Sequence, residues 1–527
     1  MTMLVLAFAF TGCGTTEPDV TVVTPGVAPA TATPAPGAQA APAPEVFVYP
    51  DLVHVALWAP GGVPAQSEMD FVLEHLNAIT IPEFNIEVNF RLFDVATYRD
   101  TMAPMIAAGE DICLINTFPA GAAHFNNLAA QGMLIPLDDL LPMYGQDILD
   151  IAVPERWEAT TRDGQILAVP RFIHVASDMN VMFVREWFEE TGYSPEDIRT
   201  MDDVDRVVRA FHANHPDLLA FSSDTRALDF AHPAGFGLMY GVYFDNLGNT
   251  SGVSTIVEFT ADGQTDWRVV NRYTTQEFQS MRELFRRWYV DGLVDRDAPL
   301  VVGRGFPLIA NDRVFAAVSA ADPMGQAIRN TQTIHPDPIV ITLKPGVEKT
   351  GSILGQTYAI PVSASNPAAS MRLLNAMYSD PRVANLMAFG VEGYHYIMNA
   401  DGQMEFPPGM TMADSPFHPN NSRLFPNVTL MQTWAGTDPA LVAQEPDLIR
   451  NAVRSPLMGF SIDASGVVGD ILAQIDIIAR DEFNPFIMTG AASDAIYYEF
   501  IDRLYDAGLE TLIEEVQRQL DEWRVGR

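Results

Sequence analysis

The first side chains whose types and spacing could do chemistry are two histidines three positions apart. His212 and His215 fall on a predicted helix, where two imidazoles on one face could share a metal ion. No His-Glu-x-x-His pattern accompanies them, so a solvated helix face explains the pair better. We therefore predict no metal site.

Acidic side chains are the second group that could do chemistry. The 67 Asp and Glu residues would allow many pairs for glycosidic cleavage, which needs two carboxyl groups about 5 to 10 Å apart. No sequence spacing fixes such a pair, and neither a Gly-x-Ser-x-Gly motif nor a phosphate loop occurs. We expect no enzyme and no cofactor, with a secreted lipoprotein glycoside hydrolase as an alternative.

The chain has two cysteines, which occupy different kinds of sequence. Cys113 lies in an apolar run and is interpreted as a small buried hydrophobe. Cys13 follows the apolar stretch Met3 to Phe10, which is shorter than the roughly 20 residues that a spanning helix needs. The segment ending Gly12-Cys13 resembles a lipoprotein signal with its lipobox, which would make Cys13 the lipidated first residue of the mature protein. An ordinary apolar N-terminus with an incidental cysteine is the alternative.

Charge excludes one class of partner. The formal net charge is -36, and lysine occurs only at Lys344 and Lys349, so no basic stripe is available to bind nucleic acid. Such acidity also repels anionic lipid headgroups, so membrane attachment would have to come from a lipid. Residues 14–50, rich in Pro, Ala and Thr, are predicted to form a disordered tether behind Cys13.

The folded body begins with alternating strand and helix patterns. Strands are predicted at Val53 to Leu57, Ile86 to Phe93 and Ile112 to Asn116. Helices are predicted between them, one opened by a capping box at Ser67 to Asp70 and one over Tyr98 to Ala108, kinked or broken at Pro104. This order indicates an α/β fold with a parallel sheet, whose ligands bind beyond the carboxyl ends of the strands.

Local signals define further elements. Asp163-Gly164 predicts a tight hairpin. Asn366-Pro367 and Asp380-Pro381 each predict a helix start, and Gly390 predicts the end of the second helix. An amphipathic helix with Leu512, Val516, Leu520 and Trp523 on one face is predicted near the C-terminus.

Several of these stretches, in this order, resemble the extracellular solute-binding lipoproteins of ABC importers, of the carbohydrate-associated family 1 type with a distinct C-terminal segment. They are Ala107-Ala-Gly-Glu-Asp111, Gly132-Met-Leu-Ile-Pro-Leu-Asp-Asp139, Asp163-Gly-Gln-Ile-Leu-Ala-Val-Pro170, Thr357-Tyr-Ala-Ile-Pro361, Gly393-Tyr-His-Tyr396 and Leu504-Tyr-Asp-Ala-Gly508.

The resemblance implies a periplasmic-binding-protein-like fold of type II, with two lobes joined by a multi-strand hinge. Its domains would be a signal peptide and lipobox (1–13), the linker (14–50), the first part of lobe 1 (51–171), lobe 2 (172–341), a return to lobe 1 (342–450) and a C-terminal helical segment (451–527). The C-terminal helices could pack on either lobe.

The resemblance also implies a function. The protein would be a monomer on the extracellular face of the cell membrane that captures a small-molecule ligand and delivers it to the ABC permease. The expected ligand is a carbohydrate, whose site needs aromatic plates for its C–H faces and planar polar groups for its hydroxyls. A peptide-binding lipoprotein of the same kind is the second alternative, and a purely structural surface protein is disfavoured.

Seven residues are candidates for ligand contact. Trp58, Thr117 and Phe118 follow predicted strands, and Arg171 and Phe172 stand at the expected crossing between lobes. Asp322 follows an apolar strand in the second lobe, and Trp434 lies in a polar loop that could close over the cleft. Core packing is an alternative for Trp58 and Phe118, and a surface ion pair for Arg171.

Overall fold

The structure is a computed structural model, which describes residues 49–222, 235–248, 255–300, 309, 313–321, 338–412, 414–417 and 425–526. Cys13, most of the proposed linker and Asp322 therefore lie outside the described residues. Residues 49–527 form one compact unit.

Lobe 1 is built on a five-stranded sheet with the order β2-β1-β3-β14-β6. Its strands are β1 (Asp51–Trp58), β2 (Ile86–Phe93), β3 (Leu114–Asn116), β6 (Val169–Pro170) and β14 (Thr357–Ala359). β1 is parallel to β2 and β3, while β14 is antiparallel to both β3 and β6. Hence β6 runs in the same direction as β1, β2 and β3, and the parallel sheet predicted from the sequence is confirmed apart from the returning strand β14.

The two faces of this sheet carry separate hydrophobic clusters. Residues with odd numbers in β1, such as Val53 and Val55, pack with the helices 66–84, 367–379 and 381–389. Ala56 and Trp58 pack on the other face with the helix 95–107. Successive side chains of a strand point to opposite faces of the sheet. Because both faces of β1 are covered, the end of β1 is a continuous apolar run.

Lobe 2 contains two sheets. β7 (Asp178–Val184), β8 (Leu219–Ser222), β12 (Val314–Ala321) and β13 (Pro338–Lys344) form a sheet in the order β13-β7-β12-β8. β9 (Tyr243–Asp245), β10 (Thr255–Phe259) and β11 (Val269–Asn271) form an antiparallel sheet beside it. β13 continues to Lys344, slightly beyond the lobe boundary at residue 341 that the resemblance implied.

The C-terminal segment belongs to lobe 2. Leu504, Leu512, Val516 and Leu520 are buried in the same hydrophobic cluster as Val181 of β7 and other lobe 2 residues. The sequence left the choice of lobe open, and the structure resolves it in favour of lobe 2.

The remaining elements complete the lobes. Two short hairpins are formed by β4 (Thr161–Arg162) with β5 (Gln165–Ile166) and by β15 (Ile397–Met398) with β16 (Met404–Glu405). The α-helices are Gln66–Phe84, Val95–Ala107, Phe125–Ala130, Leu140–Tyr144, Gln146–Ile151, Pro154–Thr160, Arg185–Glu190, Met201–Asn214, Gly235–Met239, Gln276–Asp291, Thr350–Leu354, Pro367–Ser379, Pro381–Phe389, Pro439–Arg450, Val467–Asp476, Asn484–Ile487, Asp494–Asp506 and Leu509–Val525. Short 3-10 helices are Pro195–Asp197, Arg272–Thr274, Ala298–Leu300 and Val428–Leu430, and Ile477–Phe483 is a π-helix.

Several local predictions are confirmed. Asp163 and Gly164 have φ angles of 50° and 78° in the turn between β4 and β5, as a type I′ hairpin requires. Asn366 accepts a hydrogen bond from the Ala369 N–H at 3.0 Å, and Asp380 caps the next helix in the same way. Cys113 is buried.

Two details of the predicted helices are wrong. The first helix begins at Gln66 after Ala65, whose side chain makes no cap hydrogen bond, so Ser67 lies inside the helix and forms no capping box. The second helix runs unbroken over Val95–Ala107 through Pro104. Pro104 is exposed, so water can satisfy the carbonyl group that its missing N–H leaves without a partner.

Candidate functional site

The topology brings five of the predicted ligand residues to one edge of the lobe 1 sheet. Trp58 ends β1, Thr117 and Phe118 follow β3, and Arg171 and Phe172 follow β6. These three strands run in the same direction, so their carboxyl ends share an edge. This edge is the lobe 1 side of the candidate ligand cleft.

Trp58 and Phe118 form an aromatic pair at this edge. Their ring centroids are 5.0 Å apart with an interplanar angle of 66°. Both rings are buried, at 8% and 9% relative exposure. The Trp58 Nε1 group is buried and has no hydrogen-bond partner among the described residues. A buried N–H without a partner is costly, so this indole is a candidate donor to a ligand or an ordered water.

Thr117 is engaged within the protein. Its hydroxyl lies 3.1 Å from the Thr357 hydroxyl and accepts the Thr357 N–H at 2.9 Å. The side chain is fully buried and joins β3 to β14. At this edge the Thr117 side chain therefore primarily stabilises the pairing of β3 with β14.

Arg171 and Phe172 are also held by neighbouring backbone. The Arg171 Nε donates to the Gln356 carbonyl at 3.0 Å. Phe172 exchanges backbone hydrogen bonds with Pro426 and Val428, at 2.6 and 3.2 Å. Both residues are buried, so the structure does not place Arg171 in a surface ion pair.

A cavity lies beside these two residues. It is lined by Ile148, Val153, Arg156, Trp157, Arg171, Phe172 and Tyr378, among others, and contains about 250 Å³ of empty space including solvent at its mouth.

Trp434 lies near the same side of lobe 1, although it follows none of the sheet strands. Its ring packs on Phe406 and Phe389 at centroid distances of 4.4 and 6.2 Å. Phe389 is the last residue of the helix Pro381–Phe389.

The direction of that helix locates Trp434. Its first turn pairs with the end of the helix Gln66–Phe84 through Arg382 and Glu83, at 2.6 Å. Beyond its last turn, His395 lies 3.3 Å from Glu68, in the first turn of Gln66–Phe84. That first turn follows β1, so Phe389 and Trp434 lie toward the end of lobe 1 at which β1 finishes with Trp58.

The lobe 2 side of the cleft is defined by its strand ends. Ala321, the last residue of β12, pairs with Asp178, the first residue of β7. Asp322 follows at this position but lies outside the described residues. Two buried polar side chains, Ser319 and Ser222, belong to strands ending at the same edge.

Sequence reasoning missed Asn116 and Tyr98. Asn116 ends β3, is fully buried, and has no partner for either amide atom among the described residues. The Tyr98 hydroxyl donates to the Asn116 carbonyl at 2.6 Å, and burial raises the pKa of Tyr98, which keeps that hydroxyl protonated. A polar residue at the end of an apolar strand was the only available signal for Asn116.

The structure shows no metal or membrane-spanning feature in the part of the chain that it describes. No group of three metal-ligating side chains occurs there, and His215 instead pairs with Glu190 at 2.7 Å. None of the described helices is long and apolar enough to cross a bilayer.

A family model described as a domain of unknown function, DUF3502, matches residues 456–525. A carbohydrate ABC transporter substrate-binding protein of Streptococcus pneumoniae serotype 4 is 21% identical over 467 residues, covering 86% of this chain and 88% of that protein.

The N-glycan transport solute-binding protein NgtS of Streptococcus pneumoniae has a similar structure. One crystal structure gives a TM-score of 0.75 at 19% identity, covering 90% of this chain and 98% of NgtS. The fold is that of a two-lobed solute-binding protein. A second NgtS structure, in complex with Man5GlcNAc, gives a TM-score of 0.64 at 18% identity, covering 90% of this chain and 99% of NgtS.

These findings confirm the resemblance drawn from the sequence. The matches to solute-binding proteins extend over both lobes, and the DUF3502 match coincides with the distinct C-terminal segment.

Proposed function

We propose that this chain is the carbohydrate-capturing protein of an ABC importer. The observation that carries the proposal is the sequence match to a carbohydrate ABC transporter substrate-binding protein over 86% of the chain. The aromatic pair at the cleft edge of lobe 1 supports it, because aromatic rings pack well on the C–H faces of a sugar.

The ligand is an oligosaccharide held between the lobes. NgtS was crystallised with Man5GlcNAc, which is an oligosaccharide. In the present chain, the unpartnered indole Nε1 of Trp58 and the buried amide of Asn116 provide polar groups at the same sheet edge. Such groups hydrogen-bond hydroxyls, and a neutral sugar needs no counter-charge.

Ligand binding closes the lobes, and the permease recognises the closed form. The chain resembles one NgtS structure at a TM-score of 0.75 and the Man5GlcNAc complex at 0.64. Since the compared protein is the same, its own conformation differs between the two structures. This supports an arrangement in which a ligand that contacts both lobes selects the closed form.

The protein acts as a binding protein without turnover, on the extracellular face of the membrane. Its lipid is carried by Cys13, and residues 14–50 give the body reach toward the permease. The protein functions as a monomer and takes no nucleic acid, consistent with its net charge of -36.

A thermal-shift screen tests the binding function. Mono- and oligosaccharides, dipeptides and oligopeptides are added to the purified chain, and each stabilising ligand is then assayed for chemical change. A ligand at 100 times its dissociation constant should stabilise the fold by about 2.7 kcal/mol. Stabilisation by intact oligosaccharides supports the proposal; stabilisation by peptides alone, or hydrolysis of the sugar, replaces it with a peptide-binding protein or a glycoside hydrolase.

A further inference from the structure

Among the described residues, three segments of chain connect the lobes. Residues 171–177 lead from β6 into β7, and residues 345–349 lead from β13 to the helix Thr350–Leu354. Residues 451–466 lead from Pro439–Arg450, whose Ile449 is in the lobe 1 core, to Val467–Asp476, whose Val468 is in the lobe 2 core. The match to the domain of unknown function begins within this third crossing, at residue 456.

One buried carboxylate touches all three crossings, directly or through one partner. Glu348, in the second crossing, is fully buried and forms ion pairs with Arg156 of lobe 1 and with Arg454 of the third crossing, the latter at 3.1 Å. Arg156 also donates to the carbonyls of Arg171 and Ile173 in the first crossing, at 2.8 and 2.9 Å. The first, second and third crossings are thereby fastened to lobe 1.

The adjacent residue faces lobe 2. Lys349 donates from Nζ to the Phe244 carbonyl at 3.3 Å, beside the fully buried Asp245 of β9. The positive charge of Lys349 partly offsets the burial that raises the pKa of Asp245, and Ser455 of the third crossing hydrogen-bonds the same carboxyl group. Two consecutive side chains of the second crossing thus bind opposite lobes.

Between these attachments, the first and second crossings are in backbone contact. A Cβ atom on Gly346 would lie 2.4 Å from the Ser177 carbonyl oxygen, so only glycine fits there. The Gly346 N–H donates to Asp178 at the start of β7, at 2.8 Å. The His174 N–H donates to Glu445 of the helix Pro439–Arg450 at 3.1 Å, so the contact between Ser177 and Gly346 lies just outside the lobe 1 attachments of the first crossing.

Buried ion pairs are weak evidence for stability, because desolvation offsets much of their attraction. An apolar cluster could join these segments at a smaller desolvation cost than buried charges. Paired charges with fixed hydrogen-bond directions, however, permit fewer arrangements than apolar packing, and such networks can specify geometry.

We propose that Arg156, Glu348, Arg454, Lys349 and Asp245 position the lobes, by confining the bending of the molecule to residues 175–177 and 345–347. Arg156 and Glu348 hold the crossing segments to lobe 1 and so set where the flexible part begins. Lys349 and Asp245 hold the second crossing to lobe 2 and so set where the flexible part ends. Arg454 and Ser455 make the start of the C-terminal segment the third connecting segment of the hinge. These positioning residues do not contact the ligand. They act on the relative orientation of the lobe 1 and lobe 2 sheet edges that border the candidate cleft.

The test measures the distance between the lobes in the ligand-free protein, so it does not depend on the proposed sugar. Spin labels are attached in the full chain carrying Cys13→Ser, at Glu87→Cys in β2 and Glu189→Cys in the helix Arg185–Glu190, both exposed positions. Cys113 is buried and should remain unlabelled. Pulsed electron resonance then gives the distribution of interlobe distances.

Glu348→Gln should at least double the width of this distribution. The matched control is Asp494→Asn, which removes the carboxylate that pairs with the buried Arg282 at 2.7 Å inside lobe 2, and should leave the width unchanged. A folded Glu348→Gln protein with the wild-type distribution would overturn the proposal and leave the network a purely structural one.

If Glu348→Gln does not fold, Lys349→Met decides in the same assay. This change removes the Nζ bond to Phe244 while keeping the apolar stem. A shift or broadening of the interlobe distance supports the pivot, and an unchanged distribution rejects it. Because no sugar is present, neither result bears on whether the protein binds carbohydrate.

Discussion

At the scale of single residues, Trp58 and Thr117 lie at the same edge of the lobe 1 sheet but differ in their hydrogen bonding. Strand ends indicated the edge where Trp58, Thr117 and Phe118 lie, because ligand loops follow parallel strands. The same reasoning could not distinguish the Thr117 hydroxyl, bonded to Thr357, from the Trp58 N–H, which has no partner among the described residues. That distinction depends on residues about 240 positions away, which no local pattern reveals.

Trp58 should contribute a hydrogen bond to the ligand. Trp58→Phe keeps an aromatic ring against Phe118 but removes the N–H together with part of the fused ring, so we expect at least about fivefold weaker oligosaccharide binding, equivalent to about 1 kcal/mol for the hydrogen bond. Calorimetric titration measures the loss, and denaturant unfolding measures separately the stability lost to the cavity that the smaller ring leaves.

The control for this change is Trp288→Phe in lobe 2. Trp288 is fully buried and its Nε1 already donates to Asp205 at 2.5 Å. Its replacement should lower the free energy of unfolding and leave affinity unchanged. Unaltered affinity in Trp58→Phe would show that the indole nitrogen meets water instead of sugar.

His124 should make stability depend on pH. Burial, and then the nearby positive charge of Arg162, lower the pKa of His124 from 6.5 to about 4. Between these values the unfolded chain binds the proton and the folded protein does not. The contribution, about 3 kcal/mol, is complete above pH 6.5 and is lost as the pH falls toward 4.

Unfolding titrations at pH 7 and pH 4.5 check this expectation. The Nδ1 of His124 accepts from the Asn126 N–H at 3.2 Å as a helix cap. His124→Asn preserves a capping residue and removes the titrating group. The variant should therefore lose less stability between the two pH values, and equal losses in both proteins would contradict the assignment.

At the scale of elements, local backbone chemistry explains which predictions succeeded. Asn366-Pro367 and Asp163-Gly164 determine a helix start and a hairpin from adjacent residues alone. β14 and β6 have only three and two residues, and they exist because β14 pairs with both β3 and β6. Such pairing joins distant parts of the chain, so their place in the sheet order could not be derived locally.

The C-terminal helix should be an integral layer of lobe 2. Leu512 is fully buried in the lobe 2 core, so Leu512→Ala should cost about 2 to 5 kcal/mol of unfolding free energy. Val525, in the same helix, is 89% exposed, and Val525→Ala should change stability by less than about 0.5 kcal/mol. Denaturant titration compares them. Equal, small effects would mean that this segment folds apart from lobe 2.

At the scale of the whole molecule, the two-lobed arrangement followed from resemblance more than from pattern. The alternating elements of lobe 1 predicted its parallel sheet, whereas the mixed sheet of lobe 2 gave little periodic signal. The hinge charges gave none, because Arg156, Glu348 and Arg454 are far apart in sequence and look like ordinary surface residues. Only the folded chain brings them together.

The proposed anchor is tested on the whole protein. Cys13→Ser removes the thiol that would carry the lipid, and the acidic body has no affinity of its own for anionic lipids. Cells expressing the variant should release most of the protein into the medium, as measured by immunoblot of medium and membrane fractions. Retention of the variant on membranes would reject lipidation at Cys13.

The body of the protein enters the fold in one lobe and leaves it in the other. β1 begins at Asp51 in lobe 1, whereas the helix Leu509–Val525 packs into lobe 2. A domain fused before β1 would therefore be attached to lobe 1, and a domain fused after the last helix would be attached to lobe 2. A pair of fluorescent proteins joined to the two ends would convert the proposed closure of the lobes into a change of energy transfer, so the architecture would report binding of the proposed ligand as an optical signal.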